Sequence, residues 1–134
     1  MPPRAVHRIL GELDPQEAAC RYDDALRGVT LDLALLGIGA DGHTASLFPN
    51  HDALEEEERL AVAVEAPDAA RVTLTTPPLR AARHVVFLVV GEEKAEAVRR
   101  AFGATPDRAT PASLIRGEHT TAVLDREAAA ELSG

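Results

Sequence analysis

The chain reads as an α/β domain, Rossmann-like, with a largely parallel sheet and flanking helices. Three observations predict this. Apolar or alternating runs at 31–36, 71–75, 84–90 and 120–124 are interleaved with capped or amphipathic segments, the pattern of strand–helix units. A glycine-rich turn comes directly after the first of these runs, at the place where open α/β sheets carry their ligands. Finally, 134 residues with 46% hydrophobic content suit one domain with a real core and are too apolar for wholesale disorder.

The elements can be taken in order. Asp14-Pro15-Gln16-Glu17 starts a helix: Asp14 caps, Pro15 suits the first helical position, and Glu17 has capping-box spacing. Ala18, Tyr22, Ala25 and Leu26 fall near one face, and Gly28 stops the helix. Leu31-Asp-Leu-Ala-Leu-Leu36 is expected as a buried strand. The acidic run Glu55–Glu58 reads as a solvated helical face, and a strand comes next within 60–65. Arg71–Thr75 alternates as a strand, Pro77-Pro78 ends it, and 79–82 forms a short helix. His84–Val90 is the clearest strand. Gly91 opens a helix over 92–102 that Gly103 closes, and 104–111 is loop. Residues 120–124 make a last short strand, and Asp125 caps a terminal helix over 126–132. No internal repeat, low-complexity tract or linker interrupts the series.

Charge and composition narrow the function classes. A formal net charge of −8 argues against nucleic acid and anionic membranes as main partners. It leaves a small anionic substrate open, because a local basic pocket can outweigh the global charge. Cys20 is the only cysteine, so there is no disulfide framework and no cysteine-based metal site; on its helix it is expected to be buried rather than reactive. Met1-Pro-Pro-Arg4 leads into no apolar signal-peptide core, and no run reaches membrane-spanning length. The expectation is a cytoplasmic globular protein.

The turn Gly37-Ile-Gly-Ala-Asp-Gly-His-Thr-Ala-Ser-Leu-Phe-Pro49 carries the chemistry. Gly37-x-Gly39-x-x-Gly42 matches the dinucleotide fingerprint literally, but Pro49 cuts short the helix that a pyrophosphate needs. The carboxylates some twenty residues on lie in an acidic cluster without a strand-end position. A catalytic turn fits better. Histidine, with an ordinary pKa of about 6.5, takes a proton near neutral pH, and Asp41 can orient the ring of His43 or tune its basicity. The residues alone equally allow a plain turn, in which Gly39 and Gly42 supply positive φ angles and His43 caps the next turn. Ser46 lacks a nucleophile-elbow setting. His7, His51, His84 and His119 are scattered and do not resemble a metal site; His84, at a strand start, reads as structural.

Several colinear motifs resemble those of 6-phosphogluconolactonases, in the glucosamine-6-phosphate isomerase superfamily. They are the Gly-Ile-Gly-Ala-Asp-Gly-His-Thr-Ala-Ser-Leu-Phe-Pro turn, Arg71-Val-Thr-Leu-Thr, Ala82-Arg-His-Val-Val-Phe-Leu-Val-Val-Gly-Glu-Glu-Lys-Ala95 and Leu124-Asp-Arg-Glu-Ala-Ala. The related glucosamine-6-phosphate deaminases share the Gly-x-Gly-x-Asp-Gly-His core, but the Thr-Ala-Ser-Leu-Phe-Pro continuation resembles the lactonases. The resemblance implies a NagB-type fold and hydrolysis of 6-phosphoglucono-1,5-lactone to 6-phosphogluconate, in the oxidative pentose phosphate pathway, without metal or organic cofactor. It assigns His43 as general base and Asp41 as the neighbouring acid. The Gly-x-x-Lys-Ala pattern implies that Lys94 binds substrate, with Arg71 as a weaker candidate. A lysine in a first helical turn opposes the helix dipole, a penalty that an anionic ligand there would reverse. Gly39 and Gly42 are expected to offer N–H groups to an oxyanion. An amino-sugar-phosphate isomerase/deaminase and a non-catalytic sugar-phosphate-binding remnant are the competing readings.

The chain departs from the family pattern. The Gly-Gly-Ser/Thr phosphate loop and the Gly-Asp-Glu-Arg segment do not occur, Asn50 stands where glycine is common, and Ala122 and Val123 lie where a Trp-containing strand is frequent. Residues 1–134 are therefore expected to form a single N-terminally truncated domain, either a shortened gene product or one with its start assigned at an internal Met. A second chain supplying the N-terminal half is the alternative. The missing strands should leave an apolar edge and apolar faces bare.

Overall fold

A computed structural model describes residues 1–116 and 119–132. Its elements run α1 (Pro15–Leu26), β1 (Leu33–Leu36), β2 (Ala61–Glu65), β3 (Ala70–Leu74), α2 (Thr76–Arg80), β4 (His84–Val89), α3 (Ala95–Phe102) and β5 (Thr120–Leu124). Short 3-10 turns precede α3 at Glu92–Lys94 and stand alone at Pro3–Ala5, Asp52–Glu55 and Pro111–Leu114.

Strands β1, β4 and β5 form a parallel sheet in the order β1-β4-β5, with Leu36 beside Phe87 and Val89 beside Leu124. The expected parallel sheet is thus present, but β2 and β3 stand apart as an antiparallel hairpin, Ala61 opposite Leu74. Only residues 66–69 separate them, too few for a parallel crossover.

Helix α1 starts as its sequence requires. The Asp14 carboxylate accepts the N–H groups of Gln16 and Glu17 at 3.1 and 3.3 Å, while Glu17 pairs with Arg21 instead of closing a capping box. The inward stripe runs through Ala19, Asp23 and Leu26 and packs on the β2–β3 hairpin. Ala25 and Cys20 lie outside that stripe, so Cys20 is exposed rather than buried. Asp23 is the polar member of the stripe: its carboxylate accepts Leu60 N–H at 2.6 Å and Arg27 Nη2 at 2.7 Å. Burial pushes this carboxyl up, but the bonds from Leu60 and Arg27 outweigh it and hold the group below the usual range. Its contribution to stability is therefore present above about pH 4 and is lost as pH falls through the folded-state value. Replacing it by alanine leaves the partly buried Leu60 N–H without this acceptor and is expected to cost about 1–3 kcal/mol in urea unfolding near neutral pH.

Other elements differ from expectation for local reasons. The prolines at 77 and 78 lie in the first turn of α2, where their missing N–H groups cost nothing. The acidic run is a turn, not a helical face: Glu56 accepts the N–H groups of Glu58 and Arg59. Asp125 caps Ala128 at 2.8 Å, but residues 126–131 are successive turns with mostly three-residue bonds, not a regular helix.

One face of the parallel sheet is covered. Val85, Phe87 and Val89 join Ala34, Val98 and Ala101 in the core, and the Phe102 ring meets Phe87 edge-on at 5.3 Å. The opposite face is bare: Leu33, Leu35, Leu88, Val90 and Val123 are 47–65% exposed. The strand expected to be buried at 31–36 is buried on one side only. Parallel sheets are ordinarily covered on both faces, and covering each such side chain contributes about 1.5–3 kcal/mol. The chain studied alone is expected to self-associate through this face. A single monomeric boundary in sedimentation velocity, with a cooperative melt, would contradict that. No helix among the described residues is long and apolar enough to cross a membrane.

Candidate active site

Parallel pairing brings the carboxyl ends of all three strands to one edge. Gly37–His43 comes after β1, Gly91–Lys94 after β4 and Asp125 after β5. The turn after β1 is closed by its own bonds. Gly42 N–H donates to Gly39 O and Gly39 N–H to His43 O, both at 2.9 Å, and the buried Thr44 hydroxyl donates to Gly37 O at 2.8 Å. Gly42 has φ +93°, which favours glycine. The turn runs into no helix; Thr44 bridges to Leu47 around Ala45 at φ +51°, so the literal fingerprint has no helix N-terminus for a pyrophosphate.

Asp41 and His43 form a tight pair on this turn. Asp41 Oδ1 accepts the His43 backbone N–H at 3.0 Å and meets ring Nδ1 at 2.5 Å. Partial burial pushes the Asp41 carboxyl up, but the bonds from the His43 backbone and ring prevail and hold it below the usual carboxylate range. An ionised carboxylate only accepts hydrogen bonds, so Nδ1 carries the proton and the lone pair of the neutral ring sits on Nε2. Gly39 makes room for the pair: a Cβ there would lie 2.1 Å from His43 Cε1 and 2.9 Å from Asp41 Oδ1. The Phe48 ring packs beside the imidazole at 5.1 Å.

A cleft of about 370 Å³ opens in front, lined by Gly37, Ile38, Gly39, His43, Thr44, Ala45 and Lys94. Lys94 reaches it from the turn after β4 and donates from Nζ to Ile38 O at 2.7 Å. His43, Gly39 and Lys94, singled out from sequence, thus share one cleft, with Asp41 bound to its histidine. The other two candidates stand back from it. Gly42 faces Thr110, whose methyl carbon lies 3.0 Å from where a Cβ would be. Arg71 is one ring removed: its guanidinium sits 5.9 Å from the Phe48 centroid and pairs with Asp68 at 2.6 Å. The amides of Gly39 and Gly42, expected to face an oxyanion, are engaged inside the turn instead. These glycines shape the site rather than donate to it.

Asp125 supports the site in a way its sequence position does not announce. Its carboxylate accepts Gly91 N–H at 3.1 Å, fixing the turn that carries Lys94, and bonds from Ala128 and Gly91 hold it below the usual range. The remaining histidines lie elsewhere: His51 Nδ1 accepts Ala53 N–H, and His84 meets the His119 ring at 5.9 Å near the amino ends of β4 and β5. Among the described residues no cluster of three His, Cys, Asp or Glu side chains could hold a metal ion.

Residues 1–124 match the family described as glucosamine-6-phosphate isomerases/6-phosphogluconolactonase. The chain is similar to the 6-phosphogluconolactonase of Homo sapiens, 40% identical over 126 residues, with 87% of this chain and 49% of the relative covered. It is 42% identical over 107 residues to the 6-phosphogluconolactonase of Streptomyces coelicolor, covering 77% of this chain and 41% of the relative. Among solved structures, devB protein superimposes with a TM-score of 0.86 at 37% identity, covering 99% of this chain and 61% of that one. The chain spans about half the length of the curated relatives it matches.

Proposed function

Because the chain belongs to the glucosamine-6-phosphate isomerase/6-phosphogluconolactonase family, we propose that it hydrolyses 6-phospho-D-glucono-1,5-lactone to 6-phospho-D-gluconate, with His43 as general base. The observation that carries this is the hydrogen bond between His43 Nδ1 and Asp41 beside the cleft that His43 shares with Lys94. Nε2 takes a proton from water as its oxygen adds to the lactone carbonyl. Asp41 stabilises the imidazolium that forms, and the imidazolium returns the proton to the ring oxygen as the C–O bond breaks. Lys94 supplies positive charge to the anionic substrate, and Arg71 adds a second cation once it leaves Asp68. Gly39 floors the site and Gly42 sets its turn. The reading needs no metal or cofactor and places the reaction in the cytoplasm. It includes a partner segment, in the form of a second chain, that covers the bare face of Leu35 and Leu88; the exposure of these side chains supports it.

The test is lactone hydrolysis above the spontaneous rate, run beside ammonia release from glucosamine 6-phosphate. Hydrolysis without ammonia is expected. Ammonia release would move the chain to the deaminases, and binding of 6-phosphogluconate without turnover would leave a sugar-phosphate-binding module.

A further inference from the structure

The two carbonyls that flank Gly39 are both held by one helical segment. Lys94, just before α3, donates to Ile38 O at 2.7 Å. Arg100, near the end of α3, donates from Nη2 to Ala40 O at 3.3 Å and from Nη1 to the Thr110 hydroxyl at 3.1 Å. Thr110 is 3% exposed and packs against Gly42, and the neighbouring Ala112 N–H donates to Gly42 O at 3.1 Å. Arg100 is not among the residues that line the cleft. It grips the turn from behind while Lys94 grips it from the front.

We infer that Arg100 is a positioning residue for His43, acting through the backbone of residues 38–42. This rests on the reading of His43 as the base. The imidazole fills the space beside Gly39, and Gly39 N–H donates to His43 O at 2.9 Å, so the 38–40 backbone is coupled to the position of the ring. Arg100 suits the task because its planar fork reaches two acceptors at once, Ala40 O and Thr110 Oγ1, which a single ammonium does not reproduce. Displacement of a catalytic group by about 1 Å costs as much as ~10²-fold in rate.

The experiment compares Arg100→Met, which keeps the stem and removes the fork, with Arg100→Lys and Thr110→Val. Each is read by kcat, KM, thermal melting and the His43 ring resonances in ¹⁵N-labelled protein. Arg100→Met is expected to lower kcat by about 10-fold or more with KM within about twofold, and to shift the His43 ring resonances in protein that is still folded. Arg100→Lys should not restore them, and Thr110→Val should produce a smaller shift in the same direction. Unchanged His43 resonances in folded Arg100→Met would overturn the inference, as would a rate loss that only tracks the unfolded fraction. If the unsubstituted chain fails to hydrolyse the lactone, the functional reading fails, and the ring resonances still decide the positioning role.

Discussion

Gly39→Ala is expected to lower lactone hydrolysis by at least about 10²-fold while the protein still melts cooperatively. Residue 39 does not occupy the left-handed region, so alanine meets no backbone penalty there. The whole effect comes from the new methyl group, which would overlap the space of His43 Cε1 and Nδ1 and crowd Asp41. The half-exposed pair can swing away into solvent, so the fold survives and the base is lost. Gly42→Ala should behave in the opposite way. Its φ of +93° and the buried Thr110 beside it place the cost in stability. The left-handed conformation alone costs about 1–2 kcal/mol. Measuring kcat and melting temperature for both variants separates the two roles.

Asp41→Asn should be nearly as damaging for a subtler reason. The amide can still accept the His43 backbone N–H, which Asp41 now accepts at 3.0 Å, so the turn keeps its shape and the melting temperature changes little. With its oxygen in that place the amide also still accepts the ring Nδ1–H, but it carries no charge. The imidazolium that forms during the reaction therefore loses its counter-charge, and the ring loses basicity. A loss of about 10²-fold or more in kcat is expected, within the range that general-base catalysis spans. Full activity in a folded Asp41→Asn protein would show that the carboxylate is structural.

Much of this site is legible in the amino-acid sequence, because its parts are local. Asp41 and His43 stand two residues apart on a turn that three glycines announce, and the apolar run preceding it marks the strand end. The cap at Asp14, the strand at 84–90 and the helix leading from Gly91 to Gly103 likewise arise from short-range signals. What the residues do not announce is non-local. The antiparallel pairing of 61–65 with 70–74 depends on a connection too short for a crossover. The bond from Asp125 to Gly91 spans 34 residues, and Arg100 reaches Ala40 across 60. The glycine amides show the limit of motif reasoning most clearly. Their spacing suggests an oxyanion site, but the same spacing lets the turn close on its own carbonyls. The bare face of β1, β4 and β5 is also a three-dimensional fact: Leu33, Leu35 and Leu88 read as core residues in sequence and are more than half exposed.

The role of His43 is tested most directly by the rate of lactone hydrolysis near neutral pH, corrected for spontaneous opening, in the unsubstituted chain and in His43→Asn. Asparagine keeps a polar side chain on the turn but has no lone pair that takes a proton at this pH. The expected result is a fall of about 10²–10⁴-fold with binding of 6-phosphogluconate retained. A folded His43→Asn protein that hydrolyses the lactone at the unsubstituted rate would contradict the assignment of His43 as the base.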